Sequence, residues 1–121
     1  MNWTTYLIVA AILVVIFLVK RSGQISPDDA LARLKTGALL VDVRSPDEFN
    51  SGHLPNAINL PLDRIETVLP GRVKNKSQVL LLHCQSGTRS GVAKSKLKSL
   101  GYTQVFNLGS YGRAARIVSG N

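Results

Sequence analysis

A second cysteine is missing from this chain of 121 residues, so Cys84 stands alone. An internal disulfide is thereby excluded. With only two histidines, His53 and His83, far from each other in the chain, no metal-ligating spacing can be written, and no metal or cofactor is expected. Acidic side chains are scarce: 7 Asp plus Glu face 15 Lys plus Arg, for a net charge of +8. Such a basic chain suits anionic small substrates or anionic lipid headgroups. Nucleic acid is not expected as a partner, because aromatics are not interleaved with the lysines and no nucleic-acid motif occurs. Internal repeats and low-complexity tracts are absent, and the length bounds the fold to one domain. Charge of either sign is absent from residues 1–19.

That chargeless stretch predicts a transmembrane helix over residues 3–19. Seventeen residues of helix rise about 25 Å, slightly under the roughly 30 Å of a hydrocarbon core. Trp3 and Tyr6 would mark one interface, and Lys20 and Arg21 the other. A cleaved signal peptide is disfavoured: nothing basic lies in the first five residues and no small-residue cut site precedes Lys20. Lys20 and Arg21 then place residues 20–121 in the cytoplasm by the positive-inside rule. The expectation is a single-pass inner-membrane protein, with an exported, periplasmic domain as the alternative. The chain divides into an anchor (1–21), a linker (22–25) and a catalytic domain (26–121).

Ser26 reads as an N-cap with Pro27 at the first helical position and Asp28 and Asp29 in the first turn. Ala30, Leu31 and Leu34 give that helix an apolar stripe, and Gly37 stops it. Residues 38–43 form a buried strand, and Ser45 with Glu48 three residues later is a capping box. A short strand (57–60), a helix (63–69) ended by Pro70 and Gly71, the central strand, a helix (90–100) capped by Gly101 and a last strand (104–108) follow. The tail is predicted to be partly helical and then frayed. Apolar strands alternating with helices make a three-layer α/β domain around a small, mostly parallel sheet.

The organising stretch is Val79-Leu80-Leu81-Leu82-His83, an apolar run that stops at Cys84. A nucleophile between a buried strand and a helix lies at the carboxyl end of the sheet, where open α/β folds keep their sites. Loop and helix N–H groups aimed at the sulfur favour thiolate over thiol. Four residues, Gln85, Ser86, Gly87 and Thr88, separate Cys84 from Arg89, whereas cysteine phosphatases place five there. The smaller ring of donors suits the terminal sulfur of a persulfide better than a phosphoryl group. The N–H groups of Gln85 to Arg89 are the expected substrate cradle, with Gly87 supplying a backbone angle that side chains resist. Arg89 either holds an anion or braces the loop. Asp42 and Arg44 are supporting residues, with Arg44 expected to pair with Glu48. His53 reads as part of a turn, and His83 points to the opposite face of the strand and serves as no base.

Three segments together resemble the rhodanese family of sulfurtransferases. They are Leu40-Val41-Asp42-Val43-Arg44 with Pro46, Glu48 and Phe49; Gly52-His53-Leu54-Pro55-Asn56-Ala57-Ile58-Asn59-Leu60-Pro61; and the Cys84–Arg89 loop followed by Ser90-Gly91, Ala93 and Leu100-Gly101-Tyr102. The chain looks most like single-domain, membrane-anchored or exported members. The resemblance implies a rhodanese-like domain and a ping-pong cycle through a Cys84 persulfide. A small donor such as thiosulfate would load the sulfur, and cyanide, a thiol or a protein cysteine would remove it. The alternative is a membrane-tethered persulfide relay with little small-molecule turnover. Near its end the chain has Gly109-Ser110-Tyr111 where the family commonly has a Gly-Gly pair and a Trp.

Overall fold

The structure, a computed structural model, describes residues 2–120, with only the backbone described over residues 19–22. Four strands, β1 (Leu39–Asp42), β2 (Ile58–Asn59), β3 (Leu80–His83) and β4 (Val105–Gly109), form one sheet in the order β2-β1-β3-β4. All pairings are parallel. A parallel sheet needs helical crossovers that cover both faces, which is why its inner strands read as continuous apolar runs. β1 and β3 are the two inner strands, and all four residues of β3 are buried.

Alternation along the strands sorts the side chains into two cores. Val41, Val43, Leu80, Leu82 and Cys84 pack with Ile65 and Leu69 of α4 (Ile65–Arg72) and with Ala93 and Leu97 of α5 (Thr88–Ser99). Leu40 and Leu81 face the other way, against Ala30 of α2 (Pro27–Lys35) and Ala114 and Ile117 of α6 (Tyr111–Ser119). The capping grammar is as the sequence predicts. Ser26 accepts from the Asp29 N–H, and α3 (Pro46–Asn50) begins with a complete Ser45–Glu48 capping box.

Several boundaries differ from expectation. α4 runs through Pro70 and Gly71 to Arg72: Pro70 has no N–H to give the ladder, which resumes with the Val73 N–H on the Leu69 carbonyl at 2.8 Å. α5 begins at Thr88 rather than Ser90, so the last two residues of the sulfur loop are helical. The tail is an ordered helix, capped by Ser110 and anchored by Ala114 and Ile117, although the family's Gly-Gly and Trp are missing.

The expected membrane anchor is corrected. Residues 3–22 do form a helix, α1 (Trp3–Ser22), and its large apolar side chains are exposed. Among the described residues, however, no helix is long and apolar enough to cross a membrane. The uninterrupted apolar run of the sequence, Leu7 to Val19, rises only about 20 Å. The single-pass inner-membrane placement, its cytoplasmic orientation and the lipid contact through residues 3–19 therefore lose their basis. The side chains of Lys20 and Arg21, on which the orientation rests, lie outside the described residues.

Candidate active site

Cys84 leaves the carboxyl end of β3 with its side chain on the α4–α5 face and no exposed surface. Its N–H bonds the Gly109 carbonyl at 3.3 Å, across the irregular register between β3 and β4. The loop beyond it is pinned to the start of α6. The Gln85 carbonyl accepts the Tyr111 N–H (3.2 Å), and Ser86 forms an antiparallel bridge with Ser110. Gly87 then turns the chain into α5 at φ +95°, in the left-handed region. A Cβ there would sit 3.3 Å from the Gly109 backbone and from the Gln24 amide nitrogen. Both the angle and the crowding call for glycine.

The sulfur is held by donors. The Gly87 N–H reaches Cys84 Sγ at 3.0 Å, and the Ser90 hydroxyl oxygen lies 3.6 Å from it. Burial pushes the Cys84 thiol up, but the Ser90 hydroxyl and the backbone N–H groups of Ser90, Gly87 and Ser86 outweigh it, so the thiol lies below its ordinary value. The first turn of α5, with its unpaired N–H groups, adds positive potential at the same place. Such surroundings favour the thiolate without the help of a general base.

Asp42 and Arg44, the expected supporting residues, form a buried pair behind the loop. Arg44 Nη2 and Nε donate to the Asp42 carboxylate at 2.7 and 3.0 Å, and Nη2 also donates to the Gly52 carbonyl. Nη1 reaches Gln85 Oε1 at 3.4 Å, which ties this pair to the loop. The expected Arg44–Glu48 pair is not what forms: Asp42 is two residues away on the same buried face and takes the guanidinium first. His83 lies on that face too, with Nδ1 against the Cys84 carbonyl (3.3 Å) and Nε2 3.7 Å from Asp42. Burial, with the Arg44 charge, holds its imidazole below the ordinary value, so at neutral pH it is uncharged. His53 stacks on Phe49 and bonds its carbonyl, as a turn residue would.

Glu48 instead grips the loop. Arg89 Nη1 and Nη2 donate to its two oxygens at 2.6 and 2.9 Å, a bidentate brace from α5 to α3. The Arg89 hydrogen bonds and the Ser45 N–H bring the Glu48 carboxyl down from 4.5 to about 2, against a small effect of burial. A folded value below the unfolded one means stabilisation that is present above pH 4.5 and is lost as pH falls towards 2. Both side chains are more than a third exposed on average, so the pair is worth about 1 kcal/mol or less. Glu48→Gln preserves the cap and should cost about that much in urea unfolding at pH 7. The wild-type advantage should shrink steadily between pH 4.5 and 2; an advantage that does not change over that range would contradict the brace.

Two grooves flank the loop. One, of about 500 Å³, is lined by Gln24, Ser86, Gly87, Thr88, Lys94 and Asn107, and another, of about 410 Å³, by Val43, Ser45, Leu62, Asp63, Arg89 and Lys96. Among the described residues no cluster of His, Cys, Asp and Glu could hold a metal ion. Sequence reasoning missed three residues at the site. In the sequence Ser90 stands as a helix start within the family-like motif, Gln24 as linker and Asn107 as an ordinary strand residue. Gln24 in fact pairs with Asn107 alongside β4. The available signal was Asn107 itself, a polar side chain between Phe106 and Leu108 in a buried strand.

Comparison with known proteins agrees with this architecture. The chain is 36% identical over 69 residues to the thiosulfate sulfurtransferase PspE of Escherichia coli, covering 57% of this chain and 66% of that protein. It is 32% identical over 85 residues to the thiosulfate sulfurtransferase GlpE of Pseudomonas syringae, covering 70% and 78%. A human single-domain sulfurtransferase superposes with a TM-score of 0.66 at 27% identity, over 76% of this chain and 94% of that one. The chain spans 66%, 55% and 41% of the first three curated relatives it matches, less than two thirds of each. Residues 26–112 match the rhodanese-like domain as a family, and the chain belongs to that family.

Proposed function

We propose that this protein is a rhodanese-type sulfurtransferase in which Cys84 carries the sulfur as a persulfide. The observation that carries the reading is the 3.0 Å bond from the Gly87 N–H to Cys84 Sγ, in a loop with four residues between Cys84 and Arg89. The Cys84 thiolate attacks the outer sulfur of thiosulfate, the S–S bond of thiosulfate breaks with its electron pair leaving on sulfite, and Cys84–S–S⁻ remains. Cyanide or a thiolate then takes the outer sulfur, giving thiocyanate or a new persulfide, and Cys84 returns as thiolate. No proton is needed in the cyanide cycle, which fits a site whose nearby histidine is neutral and faces away.

In this reading the cradle formed by Gln85, Ser86, Gly87 and Thr88 does the electrostatic work, with Gly87 donating to the sulfur before and after loading. Arg89 is spent on Glu48 and acts as the brace of that cradle. Asp42 and Arg44 support it from behind through Gln85. The names of the Escherichia coli and Pseudomonas syringae relatives support thiosulfate as a donor. Intact-mass measurement after incubation with thiosulfate should show an adduct of about 32 Da, one sulfur atom, on Cys84. Cyanide should remove it over repeated cycles. Absence of the adduct would refute the proposal, and an adduct that cyanide does not turn over would make the protein a sulfur relay instead.

A further inference from the structure

Asn107 is 6% exposed, and each polar atom of its side chain is committed towards the sulfur loop. Oδ1 accepts the Gly109 N–H at 2.8 Å and the Ser90 hydroxyl at 2.7 Å, and Nδ2 donates to the Gly87 carbonyl at 3.2 Å. These partners fix which end of the amide is oxygen, because a backbone N–H only donates and a carbonyl only accepts. Ser90 must therefore be the donor in the 2.7 Å contact. A hydroxyl has one proton to give. The Gly87 carbonyl, 3.1 Å from Ser90 Oγ, already takes the Gly91 N–H and the Asn107 amide. Cys84 Sγ waits at 3.6 Å. Asn107 and the sulfur are rivals for a single proton.

We infer that Asn107 is a positioning residue for the sulfur chemistry: it holds the Ser90 proton while Cys84 is a neutral thiol and yields it when the sulfur carries negative charge. The inference rests on the proposed persulfide cycle. Only rotation about the Ser90 Cβ–Oγ bond is required, and no covalent bond changes. An ionised sulfur is a stronger acceptor than an amide carbonyl, and a neutral thiol a weaker one. Asn107 Oδ1 keeps the Gly109 N–H in either state, so yielding the proton leaves no orphaned amide. The N-terminal edge keeps Asn107 in place. Its carbonyl accepts the Ile25 N–H at 3.0 Å, and the Gln24 side chain packs over Gly87 and Gly109. The charged groups around the sulfur, Arg89 with Glu48 and, on the far side of β3, Arg44 with Asp42, are already paired and do not compete for this proton.

Iodoacetamide alkylation against pH reads the Cys84 thiol without any sulfur donor. Asn107→Asp keeps the shape and makes the rival acceptor charged. It should raise the alkylation midpoint by about one pH unit or more, a tenfold loss of thiolate at pH values below that midpoint. Ser90→Ala should raise it as well. In the Ser90→Ala background, Asn107→Asp should add less than about half of its own shift, since the route through the Ser90 proton is gone and only the through-space repulsion between carboxylate and sulfur remains. Full additivity, or no shift in Asn107→Asp, would overturn the inference. If thermal melting shows that Asn107→Asp does not fold, Asn107→Ala carries the test. Removing the rival should lower the midpoint, and an unchanged or raised midpoint would overturn the inference. A thiol that shifts as expected yet never accepts sulfur from thiosulfate would refute the proposed function and leave this inference standing.

Discussion

Cys84→Ser is expected to abolish thiosulfate:cyanide transfer, to the background of the assay, while leaving the fold unchanged. The loss is total because the chain has no second thiol to substitute. A serine oxygen in the same place is protonated at neutral pH and makes no persulfide. Stability should move little. The Gly87 N–H that now meets sulfur at 3.0 Å would meet a hydroxyl oxygen, and the Ser90 hydroxyl lies within reach of the same atom. Cys84→Ala is a poorer control, because it leaves a buried N–H without its partner at a cost of about 1–3 kcal/mol. The comparison of the two variants is informative in itself. Equal loss of activity with a lower melting temperature only in Cys84→Ala would separate chemistry from packing. Transfer persisting above the assay background in either variant would remove Cys84 from the mechanism.

What was legible in the sequence was local. The N-cap at Ser26 and the capping box at Ser45 need only four residues each, and both form. The apolar runs that became β1 and β3 announce a sheet covered on both sides, and the crossovers leave parallel pairing as the solution. The turn at Cys84 is equally local: strand, small residues, glycine, helix. What the sequence concealed were pairings between distant segments. Arg44 and Glu48 look like partners because they are neighbours in the chain, yet Glu48 meets Arg89, 41 residues away, across the folded loop. Gln24 looked like linker because nothing nearby in sequence tells a polar residue that an unpaired strand edge will lie beside it. Asn107 was one polar letter in an apolar strand, and its meaning appears only when Ser90, Gly87 and Gly109 surround it. The membrane expectation failed differently. A chargeless run with aromatics at one end and basic residues at the other suggested a span, but among the described residues no helix is long and apolar enough to make one.

Loop length is the remaining determinant, and inserting one glycine between Ser86 and Gly87 should test it severely. Both ends of the loop are fixed. Gln85 and Ser86 are tied to Tyr111 and Ser110, and α5 is held by buried Ala93 and Leu97 and by the Arg89–Glu48 brace. An added residue lengthens the path by about 3.8 Å and has nowhere to go but outward, carrying the Gly87 N–H off the sulfur. Misplacement by an ångström or more at a reacting centre costs on the order of 100-fold, and that is the expected fall in sulfur transfer. The alkylation midpoint should rise towards the free-thiol value of about 8.5 as donors are lost. Stability should fall by well under 1 kcal/mol from loop closure, so the protein should still fold. The wider ring now has the residue count of a phosphatase loop and should admit a tetrahedral oxyanion, visible as protection of Cys84 from alkylation by arsenate in the insertion variant but not in the wild type. Unchanged thiosulfate turnover with no protection by arsenate would mean that the number of residues between Cys84 and Arg89 does not select sulfur over phosphoryl chemistry.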